Sequence, residues 1–201
     1  MGYLIAIALG YLMGSSNLAY YIARLKKVDI RAGGSGNLGA SNATVLMGWK
    51  VGIMVTIHDV AKAMVAVILA RWLFPELAHV GAATGVAAVL GHIFPFYLKF
   101  RGGKGFACYI GMLIALNWKL AAVIILVAVV LTVITDYIVT ATTTTIVAAP
   151  VYFFFQAWPA ALIMLIATAV MLYKHRDNYV RIFKGTELGL RSAIRGDNRV
   201  K

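Results

Sequence analysis

The stretch VGIMVTIHDVAKAMVAVILARWL, residues 51–73, decides the fold class of this chain. Coiled as a helix, it is long and apolar enough to cross the hydrocarbon core of a bilayer, about 30 Å thick. Six other stretches have the same apolar character. Together they predict an all-α integral membrane protein with seven transmembrane helices, at 3–23, 51–73, 78–98, 106–118, 119–135, 138–156 and 158–174.

The composition supports a membrane protein. The chain has 201 residues, of which 62% are hydrophobic and 13% are charged. Soluble domains usually have about a quarter of their residues charged, so a soluble globular domain and a disordered chain are both excluded. The single cysteine, Cys108, excludes an intrachain disulfide and a cysteine-rich metal site. No metal and no other cofactor is expected. Residues 1–201 are predicted to form one transmembrane domain that ends in a basic cytoplasmic tail at about 175–201.

The basic residues predict the orientation in the membrane. The chain has 19 Lys and Arg against 7 Asp and Glu, a net charge of +12. Seven spans place 16 of these 19 cations on one side, whereas six spans divide them 8 against 9 and leave Lys119 in lipid. Because cytoplasmic loops are rich in Lys and Arg, we expect the N-terminus outside and the C-terminus in the cytoplasm. Basic loops also account for the net charge, so no nucleic acid partner is expected.

The first polar stretch on the predicted cytoplasmic side is GGSGNLGASN, residues 33–42. Its glycines allow close approach of backbone N–H groups, and its side chains are short hydroxyls and amides, which suits a phosphate or another oxyanion. The glycines at 34, 36 and 39 also have the spacing of a dinucleotide fingerprint, but no strand precedes them. An ordinary glycine-rich connector between two spans is the open alternative.

The second stretch is GHIFP at 91–95, followed by FRGGKG at 100–105. Lys104 has glycines on both sides and lies just before a predicted helix, and a helix N-terminus with a lysine binds anions. The alternative is a basic turn against anionic lipid headgroups. Headgroup attraction needs no glycine, so the glycines favour a ligand site. His92, taken alone, is typical of a hydrogen-bonded packing residue.

The third stretch is HRDNYVR at 175–181, followed by GTE at 185–187. His175, Asn178 and Arg181 are spaced three apart and therefore share one face of a helix. Taken alone, this pattern is more typical of a polar helix end with snorkelling cations than of a ligand site.

Within the span at 51–73, Asp59 and Lys62 are ionisable residues three apart. Ionisable groups in a membrane are costly and usually functional, but a mutual ion pair is an open alternative.

In order and spacing, the three polar stretches resemble the bacterial integral-membrane acyl-phosphate:glycerol-3-phosphate acyltransferases. That family has Gly-Ser-Gly-Asn-x-Gly-Ala-[Thr/Ser]-Asn, Gly-His-x-Phe-Pro…Gly-Gly-Lys-Gly and His-Arg-x-Asn…Arg…Gly-Thr-Glu, which match 34–42, 91–105 and 175–187. The resemblance implies transfer of an acyl group from acyl phosphate to the 1-hydroxyl of glycerol 3-phosphate, giving lysophosphatidate and phosphate. It also implies a role in phospholipid synthesis in the bacterial cell membrane, with the active site facing the cytoplasm.

The resemblance also implies roles for individual residues. The catalytic residues would be Ser35, Lys104, His175 and Asn178. The residues that bind phosphate or substrate would be Gly34, Gly36, Asn37, Gly39, Asn42, Gly102, Gly103, Gly105 and Arg181. Supporting residues would be Asp59, Lys62, His92 and Glu187, with Glu187 bracing the loops. The implied partners are acyl phosphate, glycerol 3-phosphate, membrane lipids and a soluble enzyme that produces acyl phosphate.

The sequence departs from the family pattern at a few positions. An arginine is usual three residues after Asn42, where this chain has Val45, and the glycine after Lys62 is Ala63. A later Arg-Tyr-x-Ser segment has Asp136 in place of the arginine and Val139 in place of the serine.

Two other functions therefore stay open. Val45 and Val139 fit a non-catalytic or altered-acceptor relative that binds acyl phosphate or phospholipid. The intramembrane Asp59 and Lys62 fit a transporter of organic phosphates.

Overall fold

A computed structural model of the protein describes residues 1–187 and 189–195. These residues divide into two compact units, the first Met1–Trp118 and the second comprising the described residues from Lys119 onward. The first unit contains α1 (Gly2–Ser15), α2 (Leu18–Leu25), α3 (Ala40–Met47), α4 (Trp49–Leu73), α5 (Val80–Ile93), a 3₁₀ turn (Phe96–Leu98) and α6 (Phe106–Leu116). The following helices are α7 (Trp118–Thr135), α8 (Ile138–Phe183) and α9 (Leu190–Arg195). The described residues form helices and no strand, so the all-α prediction is confirmed for them.

Five helical segments in the described part of the chain are long and apolar enough to cross a membrane. They are Gly2–Leu25, Trp49–Leu73, Val80–Leu98, Trp118–Thr135 and Ile138–Phe183. The apolar helix α6 has only 11 residues. At 1.5 Å per residue it is about 16 Å long, roughly half the hydrocarbon thickness. The total of seven spans and the orientation remain predictions.

One helix break lies within a predicted span, and another lies between two predicted spans. Residues 3–23 are divided between α1 and α2, because the Asn17 side chain caps α2 by accepting the Tyr20 N–H at 2.8 Å. In α8 the backbone of Ala157 is not helical, and Pro159 follows two residues later. Proline lacks an N–H and clashes with the preceding helical turn, which explains this break between 138–156 and 158–174.

The C-terminal part of the chain, predicted as a basic tail, has defined structure over most of its length. Helix α8 continues through residue 183, and α9 follows. Leu188 and residues 196–201 of the predicted tail lie outside the described residues.

Helices α1 and α5 pack closely because small residues face each other. A Cβ added at Gly10 or Gly14 would collide with the backbone of Thr84 or Ala88 on α5. Backbones of membrane helices approach most closely where such small residues meet. The Tyr11 hydroxyl also donates to the Phe94 carbonyl at 2.7 Å, which fastens α1 to the end of α5. This packing places the C-terminal end of α1 beside the segment that precedes Lys104.

Asp136, which replaces a family arginine, anchors the C-terminal segment to the turn between α7 and α8. Its carboxylate accepts the backbone N–H of Arg191 at 2.8 Å, and its carbonyl accepts that of Leu190 at 2.7 Å. An acid accepts hydrogen bonds from the first N–H groups of a helix, whereas an arginine cannot. This chain therefore uses position 136 to hold the start of α9.

Candidate active site

The glycine-rich segment at 33–39 forms a loop between α2 and α3 that is built around one side chain. Asn42, on α3, is only 1% exposed. Its Oδ1 accepts the Ser35 N–H at 2.8 Å, and its Nδ2 donates to the carbonyls of Ile30 and Asn37 at 2.8 and 2.9 Å. Asn42 was predicted to orient the substrate, but in this structure it is directed inward and determines the shape of the loop.

The same loop presents the Ser35 hydroxyl to solvent. The Asn37 amide donates to Ser35 Oγ at 2.6 Å, and the Asn37 Oδ1 accepts the Gly39 N–H at 2.9 Å. Because Oγ is the acceptor in this contact, the hydroxyl hydrogen can be donated to a ligand. Gly34 and Gly36 have φ values of 58° and 66°, a region that glycine adopts without steric cost. The predicted residues Ser35 and Asn37 thus lie together on an exposed loop.

The segment at 100–105, called the Lys104 loop below, lies directly against α5. The backbone N–H groups of Gly102 and Gly103 donate to the carbonyls of Ile93 and His92 at 3.0 and 3.1 Å. A Cβ at Gly102 would collide with the His92 carbonyl, and one at Gly103 with the His92 ring. These two glycines were predicted to offer N–H groups to phosphate. In this structure their amides are engaged inside the protein, and the glycines permit close packing beneath Lys104.

Arg31 joins the two loops and was not singled out by the sequence analysis. Its Nη2 donates to the carbonyls of Leu98 and Arg101 at 3.1 and 2.8 Å, and the Leu38 N–H donates to the Gly102 carbonyl at 3.4 Å. Between the two carbonyls bound by Arg31, residues 99 and 100 have left-handed backbone conformations, with φ of 56° and 58°. Such non-glycine residues persist where surrounding contacts hold them. The structure therefore brings the glycine-rich loop at 33–39, called the Ser35 loop below, and the Lys104 loop side by side.

A buried charge network supports the Lys104 loop from within the helices. Lys62 Nζ lies 2.7 Å from Asp59 Oδ1 and 3.0 Å from His92 Nδ1, and it donates to the Ser16 carbonyl at 2.6 Å. The ion pair proposed as an explanation of Asp59 and Lys62 is thus present. His92 is the buried hydrogen-bonded residue that its position suggested. Through its ring and carbonyl it also contacts Gly103, so the network reaches the loop that ends in Lys104.

The same cluster contains the ligand atoms for a candidate metal site. One atom each of Asp59, His92 and Cys108 lie within 4.8 Å of one another, and all three residues are buried. The Lys62 ammonium already lies against the Asp59 carboxylate and the His92 ring. A divalent cation would therefore have to displace a buried positive charge.

In the second unit, the third polar stretch lies on α8 and in the turn after it. His175 and Asn178 are buried on one helix face. His175 Nδ1 lies 2.8 Å from the Met171 carbonyl, which only accepts, so Nδ1 carries a proton and Nε2 is the acceptor of the neutral ring. Glu187 accepts from the Asn178 amide and from Arg181 Nε, the latter at 2.6 Å. Glu187 thus connects Asn178 and Arg181, and its predicted role in bracing the loops stays a prediction. That these residues share one site with the two loops of the first unit stays a prediction.

Two of the departures from the family pattern have definite places. A Cβ built at Gly34 would lie 3.7 Å from a methyl group of Val45, so the side chain at position 45 is next to the glycine-rich loop. Val139 is buried in α8. The valine that replaces the family arginine therefore removes a positive charge from beside the loop that contains Ser35.

These observations describe a helical membrane protein with a lysine-containing loop and a glycine-rich loop held together. A sequence model described as "Glycerol-3-phosphate acyltransferase" matches residues 4–185, and the chain belongs to this family.

Two relatives and two solved structures support this assignment. A glycerol-3-phosphate acyltransferase of Myxococcus xanthus is 38% identical over 184 residues, 90% of this chain and 96% of that protein. One of Coxiella burnetii is 39% identical over 189 residues, 93% and 97% of the two chains. The integral membrane glycerol 3-phosphate acyltransferase PlsY, in its glycerol 3-phosphate form, matches with a TM-score of 0.88 and 32% identity, over 96% of this chain and 97% of that one. Its lysophosphatidic acid form matches with a TM-score of 0.81 and 32% identity, over 94% and 95%.

The Lys62 network generates a stability prediction. We expect Lys62→Met to lower the free energy of unfolding by about 3–5 kcal/mol, because it leaves the Asp59 carboxylate buried without its ammonium partner. The double variant Asp59→Leu/Lys62→Met removes both charges and should melt closer to the unmodified protein. Thermal unfolding in detergent micelles measures both. A single variant with an unchanged melting temperature would contradict the central role of this pair.

Arg31 generates a local prediction. We expect Arg31→Met to increase amide hydrogen exchange in residues 98–103 by roughly tenfold or more, because two charge-assisted hydrogen bonds to that turn are lost. Lys26→Met removes an equal charge from the same segment and is the control. Equal exchange in both variants would show that Arg31 does not hold the turn.

Proposed function

We propose that this chain transfers an acyl group from acyl phosphate to the 1-hydroxyl of glycerol 3-phosphate, giving lysophosphatidate and phosphate. The observation that carries the proposal is the junction of the Ser35 loop and the Lys104 loop through Arg31. It places a hydroxyl and an ammonium on adjacent segments of a chain that belongs to the glycerol-3-phosphate acyltransferase family. The similarity to PlsY in forms with glycerol 3-phosphate and lysophosphatidic acid supports the acceptor and the product.

The donor side of the proposed reaction needs little covalent chemistry from the protein. The acceptor oxygen bonds to the acyl carbon, and the bond from that carbon to the phosphate oxygen breaks. The hydroxyl proton passes to the departing phosphate. Acyl phosphate is already activated, so positioning and charge stabilisation supply much of the rate. In this scheme Lys104 neutralises the phosphate, while the Ser35 hydroxyl and the second hydrogen of the Asn37 amide are donated to its oxygens. The Gly36 N–H donates to the Gly33 carbonyl at 3.0 Å, so the proposed part of Gly36 is to shape the loop.

On the acceptor side, His175, Asn178 and Arg181 would hold glycerol 3-phosphate. Support comes from Glu187, which fixes both Asn178 and Arg181 through one carboxylate. The His175 ring is oriented by the Met171 carbonyl, which leaves Nε2 as the atom that accepts a hydrogen bond in the neutral ring. The family usually has an arginine at position 45, but the valine of this chain cannot bind phosphate by charge. The cations proposed to bind the two phosphates are therefore Lys104 and Arg181.

We also propose a topology for the active chain. It forms one domain of seven spans in the bacterial cell membrane, with the N-terminus outside and the active site and the C-terminus on the cytoplasmic side. The placement of 16 of the 19 Lys and Arg on one side supports this arrangement. A cytoplasmic site would be accessible to soluble glycerol 3-phosphate and to a soluble enzyme that supplies acyl phosphate.

The first test is an assay of the purified full chain in detergent, with palmitoyl phosphate and glycerol 3-phosphate. Lysophosphatidate and released phosphate are both measured. We expect Lys104→Ala and His175→Ala each to lower kcat/KM by about 100-fold or more, because each removes a group that contacts the reacting atoms or the acceptor. Lys50→Ala, which removes an exposed cation, is the control. Near-native turnover in either variant, at normal melting temperature, would remove that residue from the site.

An altered acceptor is the second candidate function, favoured by Val45 beside the glycine-rich loop. If the chain uses glycerol 3-phosphate, Val45→Arg should change its KM by less than about tenfold. If the chain has another acceptor, the unmodified protein should be inactive with glycerol 3-phosphate and Val45→Arg should gain activity, because arginine adds a bidentate phosphate contact. Steady-state kinetics with varied glycerol 3-phosphate distinguish the two. Inactivity of both, together with uptake of radiolabelled glycerol 3-phosphate into proteoliposomes, would favour transport.

A further inference from the structure

A cavity of about 320 Å³ lies beside the end of α2, outside the two loops described above. Arg24, Lys27 and Arg31 line it, together with one acid, Asp29. The Asp29 carboxylate accepts the backbone N–H of Arg31 at 3.0 Å, so it is engaged in its own turn. Three cations against one hydrogen-bonded carboxylate make this cavity strongly positive and suited to an anion.

The two guanidinium groups are held in place before any ligand binds. Arg31 Nη2 is fixed by the carbonyls of Leu98 and Arg101, while its Nε and Nη1 have no acceptor among the described residues. Arg24 Nη1 donates to the Tyr20 hydroxyl at 3.2 Å, so that hydroxyl can still donate its own hydrogen. A guanidinium already held in one orientation loses less conformational entropy when it binds an anion.

An aromatic cluster next to the cavity indicates its depth in the membrane. The rings of Tyr20, Tyr21 and Tyr97 lie 6.0 to 6.4 Å apart. The Tyr21 and Tyr97 hydroxyls are 2.8 Å apart, and Tyr97 also donates to the Ser15 carbonyl. Tyrosines gather where membrane meets water, at the level of the lipid headgroups. Leu25, in the last turn of α2, is 84% exposed, which provides an apolar surface at the same end of the helix.

We propose that this cavity binds the headgroup phosphate of an anionic phospholipid, at a site separate from the substrate phosphates. Arg24 and Lys27 provide the charge, and Arg31 provides the oriented N–H groups. The aromatic cluster and the exposed Leu25 favour a lipid over free phosphate, because a lipid also uses an apolar surface beside its headgroup. Since Arg31 holds residues 98–103 through two carbonyls, an occupied site stabilises the segment that precedes Lys104.

The experiment measures lipid binding to the intact chain. The detergent-solubilised protein is titrated with phosphatidylglycerol and followed by native mass spectrometry. We expect Arg24→Gln/Lys27→Gln to raise the dissociation constant of the most tightly bound phosphatidylglycerol by about 10- to 30-fold. The control, Lys26→Gln/Lys50→Gln, removes the same number of charges from exposed positions that do not line the cavity, and should change the affinity less than twofold. An equal loss in both would show general surface attraction and overturn the site.

Two further arms identify the ligand. Phosphatidylcholine should not compete with phosphatidylglycerol, and millimolar inorganic phosphate should displace less than half of it. Full displacement by phosphate would overturn the lipid as the occupant. Phosphatidylglycerol binding should persist in Lys104→Ala, and its loss there would place the lipid in the substrate site instead. Should the double variant fold poorly, Lys27→Gln alone tests the same site, with an expected loss of about fivefold.

Discussion

The ammonium group of Lys62 is the point on which the architecture of the first unit depends. Within about 3 Å it contacts the end of α1 through Ser16, its own helix through Asp59, and α5 through His92. A lysine among apolar helices is tolerated only when such partners replace water. The three helices are therefore restricted to relative positions that keep this one charge solvated by protein. Apolar contacts restrict relative positions less, because the hydrophobic effect has no preferred direction.

The consequences extend to the surface through His92 and Arg31. His92 supports the underside of the Lys104 loop, where Gly103 allows the closest approach. Arg31 holds the preceding turn from the other direction. A loop supported from both sides keeps its lysine near one position, as the proposed reaction requires, because that reaction relies on positioning. The buried polar groups among the helices and the exposed Arg31 thus support the same loop.

Much of this could be predicted from the sequence, and the remainder was inaccessible for identifiable reasons. Helix content and membrane-spanning segments follow from long apolar stretches, and the Asp59–Lys62 pair follows from helical spacing. Asn42 could not be distinguished from a ligand-binding amide, because the spacing of residues in the sequence does not show whether a side chain points into the protein or toward a ligand. Arg31 was one of many basic residues, since its two carbonyl partners are 67 and 70 residues away in the sequence. Asp136 was only a departure from a pattern until its contact with the start of α9 was visible.

The close packing of α1 on α5 has a consequence for how the protein is made. The Tyr11 hydroxyl and its acceptor on Phe94 are 83 residues apart. At a translation rate of about 5–20 residues per second, Tyr11 is synthesised roughly 4–17 s before Phe94. During this interval Gly10 and Gly14 lack the α5 backbone against which they pack in the folded protein. The first helix is therefore synthesised well before its packing partner. The contact between α1 and α5 forms only after the fifth helix has been synthesised.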